Sequence, residues 1–221
     1  MIHRVGVVDS TQRVARELAA EGAVHGTAVV AEAQTEGRGR LGRAWHSEPG
    51  ENLLLSVILR PLGPIAEAPL LSLGAAAGLA IRFDLRVKWP NDLVSRDGLK
   101  VGGLLAELDT SGERVRHVIL GLGLNVNQLA FPAGIEATSL AALGGSRLVV
   151  AEVAEAAVAS ILAWSAHPDR LGQWRTHAHT LGRRVRIGDR EGVATGIRDD
   201  GALLLDGLPV LTGDVELVGG V

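Results

Sequence analysis

The sequence predicts an α+β fold, in which a body of mixed helices and strands is followed by a small β-rich tail. Three observations carry this. Apolar residues recur at helical spacing in several separate segments, with β-branched and apolar runs of strand length between them. Beyond Gly182 the texture changes to short strand-like runs divided by Gly- and Asp-containing turns. The length of 221 residues, with 47% hydrophobic and 21% charged residues, suits one large domain or a domain with a small appendage.

Taken in order, residues 4–8 (RVGVV) are a short strand. Asp9 and Ser10 then offer side-chain oxygens to cap a helix that carries Val14 and Leu18 on one face and runs to about Gly22. Thr27–Ala33 is β-branched and apolar, hence a strand, whereas residues 36–52 hold Gly, Arg and polar groups and form a long loop. Leu53–Leu59 is an apolar strand apart from Ser56, ended by Arg60-Pro61. Residues 65–82 are Ala/Leu-rich and helical, with Gly74 and Gly78 as points of bending. Arg86–Trp89 is a strand stopped by Pro90. Leu93–Ser95 and Lys100–Leu108 flank Arg96-Asp97-Gly98, whose Asp-Gly pair signals a hairpin turn, and Val115–Val126 is the next strand. Val149, Val150, Val153, Ala157 and Ile161 give a core-packed helix over 149–163, and a further helix covers 169–180. The tail reads RVRI, GVATGI, ALLLD and VELV between turn signals, which predicts a small β-barrel of roughly 40 residues. The chain thus divides into 1–181 and 182–221.

Composition excludes several functions. With no Cys there is no disulfide framework, thiolate metal site or cysteine nucleophile. A net charge of −3 argues against a general nucleic-acid binder. No run of about 18 uninterrupted apolar residues predicts a membrane span, and the amino-terminal MIHRVGVVDST lacks the pattern of a signal peptide, so the cytoplasm is the expected location. The 22 basic residues comprise 20 Arg and two Lys, and the two lysines, Lys88 and Lys100, fall close together. An Arg-rich composition explains part of this. The sharper reading is that these positions need a compact ammonium rather than a planar guanidinium.

Four blocks carry the chemistry. The loop from Gln34 to Trp45 interleaves Arg38, Arg40 and Arg43 with Gly37, Gly39 and Gly42. Its glycines allow close backbone approach to a ligand, and its arginines suit carboxylate and phosphate. The pattern G-x-G-x-x-G is present, but no helix start follows, which rules out the dinucleotide-binding reading. Lys88-Trp89-Pro90-Asn91-Asp92 sets a cation, an amide and a carboxylate around a rigid turn, an environment suited to phosphate and Mg²⁺. Lys100-Val101-Gly102-Gly103 and Gly121-Leu122-Gly123-Leu124-Asn125 place glycines in strands, where a ligand can approach the backbone or a bulge can form.

Together these blocks resemble the biotin protein ligase family, the ligases that biotinylate carboxylase carrier domains. The likeness runs through Ser10-Thr11-Gln12, GRGRLGRAW at 37–45, KWPNDL at 88–93, LKVGGLLAE at 99–107 and GLGLNVN at 121–127. It implies a mixed β-sheet flanked by helices, related to class II aminoacyl-tRNA synthetases, with an SH3-like C-terminal β-barrel. It also implies two steps: formation of biotinyl-5′-AMP from biotin and MgATP, then transfer of biotin to a lysine of a carrier domain. Ser10, Thr11, Gln34, Gly37 and Arg38 match biotin-contacting positions, and Gly103 and Gly121 are placed with them. Arg40 matches the residue that retains the adenylate, and Trp45 the adenine-side aromatic. Lys88, Asn91 and Asp92 match the phosphate and metal region, joined by Asn125. Lys100 matches the lysine that bridges biotin carboxylate and α-phosphate. Arg40, Lys88 and Asp92 are with it the expected catalytic residues. The metal ligands themselves are left unassigned.

Thr11-Gln12 stands where many members have Thr-Asn. No DNA-binding domain precedes residue 10, so no repressor role is expected. The expected partners are biotin, ATP and a biotin carboxyl carrier domain, with neither nucleic acid nor membrane, and a homodimer is left open. A lipoate or octanoate ligase is the nearest alternative, and a biotin-binding scaffold without catalysis a more distant one. His177 and His179 lack a third metal ligand at helical spacing and are expected on a surface helix.

Overall fold

A computed structural model describes residues 1–61 and 63–218. The last three residues of the expected tail, 219–221, therefore lie outside the described residues. The larger sheet has seven strands in the order β1 (Ile2–Val8), β2 (Ala28–Gln34), β3 (Leu53–Leu59), β7 (Arg114–Leu124), β6 (Lys100–Ser111), β5 (Asp92–Val94) and β4 (Arg86–Lys88). β1 and β2 are parallel, and every other neighbouring pair is antiparallel, so the sheet is mixed.

Helix α1 (Thr11–Ala20) makes the β1–β2 crossover. The Ser10 hydroxyl accepts from the backbone N–H of Gln12, as an N-cap does, and Ala15 and Ala19 pack on Val29, Ile58 and Ile119. On the opposite face lie α2 (Ala68–Phe83) and α4 (Val150–Trp164). β3 explains this layering. Leu53, Leu55, Val57 and Leu59 enter the main core against α2 and α4, while Ile58 enters the cluster under α1. A central strand covered on both faces reads as a continuous apolar run, not an alternating one.

Gly74 and Gly78 do not interrupt α2, which runs unbroken. They make room for α4: a Cβ on Gly78 would stand 2.6 Å from Trp164 Cβ, and one on Gly74 would stand 2.4 Å from Trp164 O. The segment Ile65–Phe83 is long and apolar enough to cross a bilayer, yet most of it is buried inside the protein. It is a core helix.

Two elements differ from expectation. Helix α5 (Arg170–Thr176) ends four residues early, because the following residues bridge onto β4. Val87 N–H donates to His177 O at 2.9 Å, and His179 N–H donates to Val87 O at 2.8 Å. A short α3 (Leu140–Gly144), capped by the Ser139 hydroxyl and ended by Gly145 at φ 72°, was not anticipated.

The tail forms a second, antiparallel sheet in the order β11 (Leu208–Val210), β10 (Leu203–Leu205), β9 (Arg190–Ile197), β8 (Arg184–Ile187) and β12 (Glu216–Leu217). The expected barrel is not closed, since no pairing joins β11 to β12 among the described residues. The strand β12 spans only two residues, too short to complete a ladder. Asp206-Gly207, with φ of 49° and 80°, makes the tight turn into β11. The apolar residues of this sheet join the main core, and the Trp89 indole N–H donates to Gly201 O at 3.1 Å across the junction.

Candidate active site

A cleft of about 800 Å³ opens on the α1 face of the large sheet, within the size range of small-molecule sites. Strand register builds its floor. Leu54 pairs with Gly123, Gly123 with Gly103, Gly103 with Asp92, and Asp92 with Lys88. Paired residues share a face, so one transverse row carries two glycines at its centre and a carboxylate and an ammonium at its end. Gly121 pairs with Ser56 and Leu105 in the adjacent row.

At the end nearest α1, Thr11 N–H and Oγ1 both donate to Gln34 Oε1, at 2.7 and 2.9 Å, and Thr11 Oγ1 lies 2.8 Å from Ser56 Oγ. Ser10, Thr11 and Gln34 thus line one wall together. Gln12, which stands where many family members have Asn, also lines it. Its Nε2 donates to Leu105 O at 3.0 Å, and a Cβ on Gly121 would sit 3.0 Å from its Cδ.

At the polar end, Lys100 begins β6 where the β5–β6 register shifts, and its Nζ stands 2.7 Å from Asp92 Oδ1. Lys88 lines the same end, and no carboxylate pairs with it among the described residues. Asn91 donates from Nδ2 to Leu104 O at 2.8 Å. Asn125 reaches the cleft, but its Nδ2 donates to Thr138 O at 3.0 Å, which ties down the segment before α3.

The Arg-Gly loop forms the lid of this cleft. Gly39 N–H donates to Arg43 O and Trp45 N–H to Gly37 O, so the loop folds back on itself through left-handed Leu41 and Gly42. Trp45 lies against the sheet because Gly123 has no side chain: a Cβ there would come within 2.5 Å of the indole. The Lys100 ammonium stands 5.8 Å from the same ring.

Arg40 donates from Nη1 to Asp214 Oδ1 at 3.2 Å, Gly213 O at 3.1 Å and Asn91 Oδ1 at 3.4 Å. Arg38 is exposed at the rim and pairs with Glu36. Gly37 alone of the expected site residues does not line the cleft. A Cβ there would meet Gln34 Nε2 at 3.1 Å and Trp45 O at 3.3 Å, so the residue serves the turn of the loop.

Sequence reasoning did not find Asp214, which meets Arg40 from 174 residues away and sits in a turn like others in the tail. Nor did it find the loop bearing Phe131 and Ile135 at the cleft mouth, whose apolar residues have no periodicity to mark them. The histidine expectation is corrected. His179 is buried, 5% exposed, outside any helix, and burial pushes its imidazole below the ordinary range, aided by Arg183, Lys88 and Arg86. No group of three or more His, Cys, Asp or Glu suited to a metal occurs among the described residues.

The model of the Biotin/lipoate A/B protein ligase family matches residues 5–125. The chain is 37% identical to the bifunctional ligase/repressor BirA of Bacillus subtilis (strain 168), covering 96% of this chain and 72% of that one. It is 36% identical to the biotin–[acetyl-CoA-carboxylase] ligase of Mycobacterium tuberculosis, covering 85% of this chain and 76% of that one. Among solved structures, the biotin protein ligase of Aquifex aeolicus in complex with biotin and ATP is similar with a TM-score of 0.79, at 30% identity and over 99% of both chains.

Proposed function

The chain belongs to the Biotin/lipoate A/B protein ligase family, and from that premise we propose that it is a biotin protein ligase that activates biotin with ATP and passes it to a carrier lysine. The observation that carries the reading is the paired Lys100 and Asp92 at the end of a glycine-floored cleft, with Lys88 in the same row. The similar Aquifex aeolicus structure is a complex with biotin and ATP.

In the first step a biotin carboxylate oxygen bonds to the α-phosphorus of ATP, and pyrophosphate leaves. Two anions must approach to about 3 Å for this, an arrangement that needs intervening cations. Lys100 lies between the two substrates, and Lys88 and Arg38 add charge on the phosphate and carboxylate sides. Their greatest effect falls on charge developing at the α-phosphoryl group. Ser10, Thr11 and Gln34 bind biotin over Gly103 and Gly121, Trp45 covers the adenine side, and Arg40 retains the adenylate. In the second step a carrier lysine amine attacks the acyl carbon, and AMP leaves.

Mg²⁺ characteristically takes one or two carboxylates together with substrate phosphates. Asp92, next to Asn91, fits that pattern, and the ion when bound neutralises phosphate charge. The acceptor in this reading is the biotin carboxyl carrier domain of a biotin-dependent carboxylase, in the cytoplasm.

The test is labelling of a purified carrier domain with biotin and ATP, each omitted in turn, and with lipoate in place of biotin. Labelling that requires both ATP and biotin is expected. Equal transfer of lipoate would overturn the choice of substrate.

A further inference from the structure

Arg40 is held by a part of the chain far from the blocks that form the rest of the cleft. Asp214 lies in the turn between β11 and β12, and its two oxygens serve two arginines of the lid. Oδ1 accepts from Arg40 Nη1 at 3.2 Å, and Oδ2 abuts the Arg43 guanidinium. Gly213 O and Asn91 Oδ1 take the same Arg40 nitrogen at 3.1 and 3.4 Å, and Thr212 Oγ1 lies 3.5 Å from Nη2. One guanidinium thus joins the lid, the KWPND turn and the tail.

Two further observations bear on this junction. Between the two arginines, Leu41 takes φ 57° although the residue is 77% exposed. A left-handed non-glycine residue persists where its surroundings over-determine it, and apolar packing of the Leu41 side chain is not what holds it. The Arg40 Nε–H, meanwhile, has no acceptor among the described residues, although the Arg40 side chain is only 21% exposed. A carboxylate beside a triphosphate site is unfavourable for anion binding unless it orients cations, and Asp214 faces two of them.

We propose that Asp214 is a positioning residue for Arg40: with Gly213 O it fixes one nitrogen of the guanidinium and presents the open edge to the phosphate of the ligand. The five donors of an arginine allow it to bridge a carboxylate and a phosphate at once. Holding the side chain in advance lowers the ordering cost of gripping the adenylate. The tail sheet is then a working part of adenylate retention. This rests on the ligase reading above and on the retaining role of Arg40 within it.

Escape of the adenylate is measured as biotin labelling of a bystander protein that lacks a carrier domain, with pyrophosphatase present. Asp214→Asn is expected to raise escape by about threefold or more, Asp214→Glu to restore retention, and Asp214→Asn to add nothing in an Arg40→Gly background. Escape unchanged by Asp214→Asn, or effects of the two substitutions that multiply, would overturn the proposal.

If the Asn variant fails to fold, amide hydrogen exchange on the native chain decides. A non-hydrolysable biotinyl-adenylate analogue should slow exchange over 211–215 as well as 38–44, and an unchanged 211–215 segment refutes the bridge. A native chain that makes no adenylate would sink the ligase reading. A native chain that makes and keeps it, while Asp214→Asn keeps it equally, would sink only the role of Asp214.

Discussion

The ammonium of Lys100 is placed by a carboxylate on one side and an aromatic ring on another. It stands 2.7 Å from Asp92 Oδ1 and 5.8 Å from the Trp45 ring, and a Cβ on Gly103 would come within 3.5 Å of its Nζ. A guanidinium carries the same charge on a wider plane and cannot place a single compact cation between a carboxylate and a phosphate. Lys100→Arg is expected to lower biotin-dependent ATP–pyrophosphate exchange by about a hundredfold or more, with the melting temperature little changed. Near-native turnover would refute the bridging role. At this scale Lys88, Asp92 and Lys100 were legible because each sits in a block whose residue types already imply anion chemistry. Asp214 was not. A single acid in a turn carries no local signal, and only folding brings it to Arg40.

Elements were legible where the local pattern and the tertiary packing agree. Leu53–Leu59 was read with its observed limits, because a strand covered on both faces leaves an apolar run that stops where burial stops. The end of α5 was missed because a strand edge captures residues 177–179, and nothing in their sequence announces that partner. The glycines of α2 were read as points of bending, but they are contact surfaces for α4. Gly78→Ala tests this. Alanine improves helix propensity by about 1 kcal/mol, but its Cβ would fall 2.6 Å from Trp164 Cβ and Cδ1. Overpacking of about 1–3 kcal/mol should outweigh the gain, and thermal unfolding should shift down by several degrees. A raised melting temperature would show that α4 yields easily and that the glycine is not required.

For the whole molecule, two buried imidazoles make stability depend on pH. His117 on β7 is pushed below its ordinary value of 6.5 by burial, opposed by Asp109 and aided by Arg60, Arg116 and Arg16. His179 shifts the same way for the same first cause. Each binds its proton less readily in the folded chain, so as pH falls through 6.5 the unfolded chain takes up more protons and stability declines, while above that value the contribution is intact. Urea unfolding between pH 7.5 and 5 should show this decline, and a His117→Asn/His179→Asn double variant should flatten it. An equal slope in the double variant would assign the decline to other groups.

The mixed sheet and its transverse row could not be read from composition, since register depends on which strands pair. The tail was legible as β-structure but not in its closure, because turn signals count strands without joining the last to the first. The only two lysines of the chain, Lys88 and Lys100, both line the cleft. Apart from the amino terminus, an acylating reagent therefore finds no primary amine outside the cleft. Such a reagent becomes an occupancy gauge: mass increments at the two positions should fall when ligand fills the cleft, and the amino terminus, unaffected, serves as the internal standard.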